Sequence, residues 1–214
     1  MKDIKDDLAF EFFNIILPAT RVEDTIGNIK ELVASGDIDS EVEDNLLKAE
    51  LYVANLAQKK VPLSTKILCQ ISKVIYGRIY SWSGKLKMEA RPAMEDMMLK
   101  ISSDWQGSLL DEELKLDLLA FSYHCILKNK PFFDGNEKVA RIFTNYLGLK
   151  YGTCLFNIAP SKKDEVSYKK FCKDLELADR GNILPIKERI RSVMFISSDS
   201  LCSSKLGPSA SVKD

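Results

Sequence analysis

The sequence has no excess of charge of either sign: 31 lysines and arginines balance 31 aspartates and glutamates. Nucleic-acid binders usually carry a basic surplus or a basic run, so neither DNA nor RNA is expected as a partner. It has no CxxC pair. Its five cysteines, Cys69, Cys125, Cys154, Cys172 and Cys202, are odd in number and far apart. Four fall inside apolar helical patterns, as small buried hydrophobes do, and the chain suits a reducing compartment. It also lacks a long hydrophobic run. Leu8 to Leu17 is broken by Glu11 and Asn14, too polar for a signal-peptide core and too short to span a bilayer. No membrane association is expected, and the cytoplasm is the expected location. One histidine, His124, is present.

What remains is an ordinary globular composition, 45% hydrophobic and 29% charged over 214 residues, enough for one substantial core. Apolar spacing is helical nearly everywhere. Leu8, Phe12, Ile15 and Ile16 form one stripe, and Ile26, Ile29, Leu32 and Val33 a second. A third helix, capped by Asp39 or Ser40, runs through Val42, Leu46, Ala49, Val53 and Leu56 to Pro62. Ser64 caps a fourth, through Ile67, Ile71 and Ile75. The stretch Tyr80 to Pro92, punctuated by Trp82 and Gly84, has no helical rhythm. Any β structure is expected there, as a short hairpin. Helices are predicted again from about Glu95, from Asp111 to before Pro131, over Glu137–Tyr151, over Val166–Asp179 and over Ile183–Ile196. The expected organisation is an N-terminal helical extension over 1–62, a domain over 63–196, and a flexible serine-rich tail over 197–214.

The informative segment is Lys130-Pro131-Phe132-Phe133-Asp134-Gly135-Asn136-Glu137-Lys138-Val139-Ala140-Arg141. It delivers Asp-Gly-Asn onto a helix N-terminus, where free N–H groups and the helix dipole can cradle an anion. Lys138 and Arg141 lie three apart on that helix, within reach of one phosphate. Asp134 is a hard oxygen ligand beside them, suited to Mg2+ bound together with phosphates. A turn with a helix cap and solvated charges would give the same local pattern.

This segment resembles the Fic-family signature His-Pro-Phe-x-Asp-Gly-Asn-Gly-Arg-x-x-Arg. Pro131, Phe132, Asp134, Gly135, Asn136 and Arg141 match it in register. Tyr80-Ser81-Trp82-Ser83-Gly84-Lys85-Leu86-Lys87 resembles the segment that leads into the family's target-binding flap. Glu41 to Asn45, Val61 to Ser64 and Asp179 to Pro185 are similar to other family segments, and Ala19 to Asp24 resembles its inhibitory motif. The resemblance implies a mainly α, Fic-type helical domain with at most one short β-hairpin. It also implies transfer of AMP from Mg-ATP to a hydroxyl of a target protein. By position, Asp134 would hold Mg2+, and Gly135, Asn136, Glu137 and Lys138 would shape the phosphate cradle. Arg141 would meet the terminal phosphate, and Glu23 would compete for Arg141.

Three positions depart from the signature. Lys130 replaces the histidine that takes the proton from the target hydroxyl. A lysine in water titrates near 10.4, so only about one in a few thousand is unprotonated at neutral pH. His124 lies six residues earlier on the preceding helix and is expected to pack or hydrogen-bond. Glu137 replaces a glycine and puts a carboxylate at the cradle, and pairing with Lys130, Lys138 or Arg141 could silence it. Lys138 replaces an arginine and loses its two-pronged grip. The segment's net charge stays at one positive, so attraction for a nucleotide is kept while the base is lost. The flap is short as well, which removes room for a second hairpin strand. The expected protein is a Fic relative that binds Mg-nucleotide weakly, transfers AMP weakly or never, and works as a regulator or interaction partner. Two alternatives stay open: an active transferase with Lys130 as a positioning cation, and a helical scaffold without ligand.

Overall fold

A run of buried residues from Val139 to Gly148, broken only by Arg141, places one helix at the centre of the molecule. A computed structural model describes residues 35–106, 111–153, 155–161 and 163–203. Seven α-helices lie among them: α1 (Ser35–Gln58), α2 (Thr65–Tyr76), α3 (Arg91–Gln106), α4 (Glu112–Asn129), α5 (Asn136–Lys150), α6 (Glu165–Asp179) and α7 (Leu184–Ser203). The central helix is α5, packed against α1, α2 and α4. On the far side of α4 lies α7, which also packs on α6, while α3 joins α4 at one edge.

The stripe predicted on α1 is the face that meets α5: Val42, Leu46, Ala49, Val53 and Leu56 are all buried. Burying a side chain of this kind is worth about 1.5–3 kcal/mol, so this single face is a large share of the core. Polar ties fix its register. The Asn45 amide donates to the Ile75 carbonyl at 3.0 Å. The Tyr146 hydroxyl and the Lys150 ammonium both donate to the Val61 carbonyl at 2.6 Å, so the α1–α2 link is held to the end of α5. Burial lowers the Lys150 pKa.

Several boundaries differ from the sequence expectation. The helix expected near Glu95 starts at Arg91, because Pro92 occupies its first turn, where no N–H is needed. Ser64 precedes α2 but makes no side-chain cap, whereas Asp111 caps α4 by accepting from the Leu114 N–H at 2.7 Å. Helix α7 continues to Ser203, past the expected end at Ile196. No strand or sheet occurs among the described residues. The Tyr80–Pro92 stretch holds a single bridge residue at Tyr80, turns, a 3-10 turn at Met88–Ala90 and the start of α3, in keeping with at most one short hairpin. Cys69, Cys125 and Cys172 are free and half-buried rather than fully buried. Burial pushes the Cys69 and Cys125 thiols up in pKa, so they stay protonated. No helix among the described residues is long and apolar enough to cross a membrane.

Candidate functional site

The loop between α4 and α5 is built by its own side chains. Lys130 closes α4 in the left-handed conformation (φ 42°, ψ 62°), its N–H reaching the Ile126 carbonyl at 3.0 Å. A residue before proline is driven out of the right-handed helical region. Lys130 goes to the left-handed well, a strained choice for a side chain with a Cβ. Pro131 and Phe132 are buried and anchor the loop, while Phe133 and Asp134 are exposed. The Asn136 carboxamide then staples the turn: its Oδ1 accepts from the Phe132 N–H and its Nδ2 donates to the Phe132 carbonyl, both at 2.9 Å.

Gly135 must be glycine. Its φ is +69°, and a Cβ there would fall 2.1 Å from the Tyr76 hydroxyl and 2.3 Å from the adjacent ring carbon. The Gly135 N–H is taken by Asp134 Oδ1 at 2.6 Å. The first bond within α5 runs from the Val139 N–H to the Gly135 carbonyl. The N–H groups of Asn136, Glu137 and Lys138 therefore have no acceptor in the helix, as any helix start requires. These three donors and the dipole of a fifteen-residue helix are what the start of α5 offers an anion.

The charges around it are unevenly committed. Lys130 and Lys138 are exposed. Glu137 is half-buried in the first turn, and none of the ion pairs among the described residues involves it. Its neutralisation by Lys130, Lys138 or Arg141 does not occur. Burial raises the Tyr76 hydroxyl well above its ordinary pKa, with Asp134, Tyr80 and Glu137 adding to the effect. Arg141 is held elsewhere. Its guanidinium donates to Glu50 Oε1 of α1 at 3.1 Å, with the two side chains 22% and 28% exposed. The Arg141 Nε and the hydroxyl of the fully buried Tyr123 have no hydrogen-bond partner. Burial pushes the Tyr123 hydroxyl up in pKa, Glu137 adds to the rise and Arg141 opposes it. Two orphan donors thus lie under the cradle.

Sequence reasoning missed Glu50. The one available signal is its place on α1 between Leu46 and Val53, where an acid breaks an otherwise apolar face. Glu23, the competitor suggested by the sequence, lies outside the described residues. His124 behaves as expected: it is buried, and its Nε2 lies 2.8 Å from Asp179 Oδ1 on α6.

The donor set fits a Mg-nucleotide in part. Asp134 presents one exposed carboxylate, and no group of three metal-ligating side chains exists among the described residues. Mg2+ carried by phosphates needs no more than one or two protein carboxylates. Free N–H groups suit phosphate, while Glu137 and the engaged Arg141 oppose it.

The Fic/DOC family model matches residues 62–148, from the end of the α1–α2 link through the loop and most of α5. Residues 62–148 are thus similar to the Fic/DOC family. Solved Fic structures share the fold over much more of the chain. A Fic-domain signaling protein from Bacteroides thetaiotaomicron aligns with a TM-score of 0.65 at 16% identity, covering 89% of this chain and 94% of that one. BepC, a VirB-translocated effector from Bartonella tribocorum solved with bound AMPPNP, aligns at 0.60 and 13% identity, covering 84% and 96%. Fic-1 from C. elegans aligns at 0.58 and 14% identity, covering 92% of this chain and 71% of that one. No curated protein matches the chain by sequence. The matched stretch includes the loop after α4, which carries Lys130 to Asn136.

Proposed function

We propose that this Fic-fold protein is a silenced relative of the protein adenylyltransferases: it binds a Mg-nucleotide weakly, does not transfer AMP, and acts as a regulator or interaction partner. The observation that carries the reading is Lys130. An exposed ammonium stands where the signature has the imidazole that removes a proton from the target hydroxyl. A cation at that point can attract phosphate but cannot accept a proton.

The neighbouring geometry supports weak rather than tight binding. Asp134 would hold Mg2+, and the N–H groups of Asn136, Glu137 and Lys138, with the Lys138 ammonium, would meet phosphate oxygens. Bound Mg2+ would supply charge neutralisation between phosphates. BepC was solved with AMPPNP on this fold, which lends the nucleotide assignment its precedent. Arg141 can join only by leaving Glu50, and the Glu137 carboxylate repels what the cradle attracts. Glu23 stays in the reading as a further carboxylate for Arg141.

The test is incubation with radiolabelled ATP and a cell lysate. Wild-type protein should label nothing, whereas Lys130→His/Glu137→Gly/Lys138→Arg should gain transfer. Label transfer by the wild-type protein would establish the active-transferase alternative and end this proposal. No stabilisation by millimolar Mg-ATP would end its nucleotide half.

A further inference from the structure

We propose that the cleft between α6 and α7 is a binding site for a small zwitterion, a molecule with an ammonium and a carboxylate close together, as in free amino acids and short peptides. The assignment goes beyond the nucleotide reading and does not rest on it. Helices α6 and α7 pack on α4 and on each other, away from the loop that carries Lys130 to Asn136. The cleft has a volume of about 420 Å3, within the range of small-molecule sites. Lys170 and Asp174 line it from α6, and Pro185, Glu188, Arg189 and Ser192 from α7.

Burial separates its floor from its rim. At the floor, Arg189 donates to Asp174 Oδ2 at 2.8 Å, with the two side chains 17% and 12% exposed. The same guanidinium lies over the buried Phe171 ring, 5.3 Å from its centre. These contacts hold it in place without satisfying it. A guanidinium has five N–H donors, one of which reaches Asp174, and the Arg189 Nε is buried without a partner. Polar groups at this depth are normally paired. The other amino N–H groups of Arg189 suit a carboxylate, which a guanidinium grips through parallel bonds.

The rim decides what else the ligand carries. Lys170 and Glu188 are exposed there. Lys170 enters none of the ion pairs among the described residues, and Glu188 meets only Arg191 of its own helix, at 3.5 Å. The Asp174–Arg189 contact sets the two helices level. Lys170 lies one turn, about 6 Å, along α6 from that level, and Glu188 adjoins it on α7. The two rim charges are thus spaced for a small molecule between them. The Ser192 hydroxyl donates to the Arg189 carbonyl at 2.8 Å, so its oxygen is left as an acceptor. A ligand carboxylate therefore finds Lys170 and Arg189, and a ligand ammonium finds Glu188 and Ser192. A phosphate would face two carboxylates, Asp174 and Glu188, and a simple cation two basic groups. No lining residue is aromatic, so a nucleobase or sugar ring has no stacking face. Only a molecule with both signs complements both walls.

The test is calorimetric titration of the full chain with L-serine and with glycylglycine. Acetate, methylammonium, inorganic phosphate and glucose serve as controls. Saturable binding and a raised Tm are expected from a zwitterion and not from the controls, with binding weakened by salt. Binding of either zwitterion supports the proposal, and the tighter of the two tells an amino acid from a peptide. Lys170→Gln/Glu188→Gln should weaken binding at least about tenfold. The unliganded Tm and the response to Mg-ATP should stay unchanged, since both side chains are exposed. No binding of either zwitterion at tens of millimolar would overturn the proposal. Equal binding of any control, or an unaffected double variant, would do the same.

Discussion

Freeing Arg141 should turn a weak nucleotide site into a stronger one, and Glu50→Gln is the perturbation that does it. The pair is 3.1 Å long and about three-quarters buried on each side. A hydrogen bond between charged groups in such a setting is worth about 1.5–3 kcal/mol net. A phosphate that recruits Arg141 must give that up first. Removing the carboxylate charge while keeping the side-chain shape returns it, and at 1.4 kcal/mol per factor of ten the Kd for Mg-ATP should fall about 10- to 100-fold. With a wild-type Kd on the order of 1 mM, about 1 mM nucleotide half-fills the site and gives about 0.4 kcal/mol of stabilisation, rising to roughly 1.4–2.7 kcal/mol in the variant. In a domain of this size that is a Tm rise of about 3–10 °C, readable by thermal shift and confirmed by calorimetric titration. Adding Arg141→Gln to Glu50→Gln should erase the gain, because the gain exists only through that guanidinium. A Kd for Glu50→Gln within threefold of wild type, with the fold intact, would refute the reasoning.

Two further outcomes follow from the loop and the α4–α7 contact. Asn136→Ala removes both bonds to the buried Phe132 peptide and should cost about 2–4 kcal/mol, or roughly 5–12 °C in Tm. Asn136→Asp, which keeps only the acceptor, should fall between, and a change below about 2 °C for the alanine variant would show that the staple is dispensable. Glu113 accepts from Lys187 and Arg191 across α4 and α7, and those bonds hold its carboxyl below the ordinary value of 4.5. Its contribution is therefore complete above that value and is lost as pH falls through the lowered folded-state value. The Tm difference between wild type and Glu113→Gln should be constant near neutrality and close at lower pH; a difference independent of pH would contradict this.

Local features were readable from the sequence in proportion to how local their causes are. The α1 stripe, the helix start at Asp111 and the stop before Pro131 each depend on neighbours within a turn, and each stands where spacing puts it. The caps expected at Asp39 or Ser40 and at Ser64 do not form, since α1 begins at Ser35 and Ser64 makes no side-chain bond. The placement of the Asp-Gly-Asn turn at the start of α5 was equally visible. The need for glycine at 135 was not, because Tyr76, which a Cβ there would strike, comes from a different helix. The flap shows the converse. Absence of helical rhythm between Tyr80 and Pro92 left room for a short hairpin at most, but did not say that turns fill it or that Pro92 opens a helix rather than ending one.

The partner of Arg141 was out of reach for the same reason, since Glu50 is 91 residues away in sequence. Its physical logic is nonetheless plain once α5 is seen to be buried around Arg141. A guanidinium in the middle of a core helix needs a counter-charge, or it carries a large desolvation cost. The fold supplies that charge from α1, at a position where the surrounding stripe is apolar and a leucine would have packed. An enzyme that needed Arg141 for a terminal phosphate would work against this carboxylate in every turnover. If, as proposed above, Lys130 stands in for the proton acceptor and no AMP is transferred, there is no turnover to slow, and the pair can be kept as part of the core.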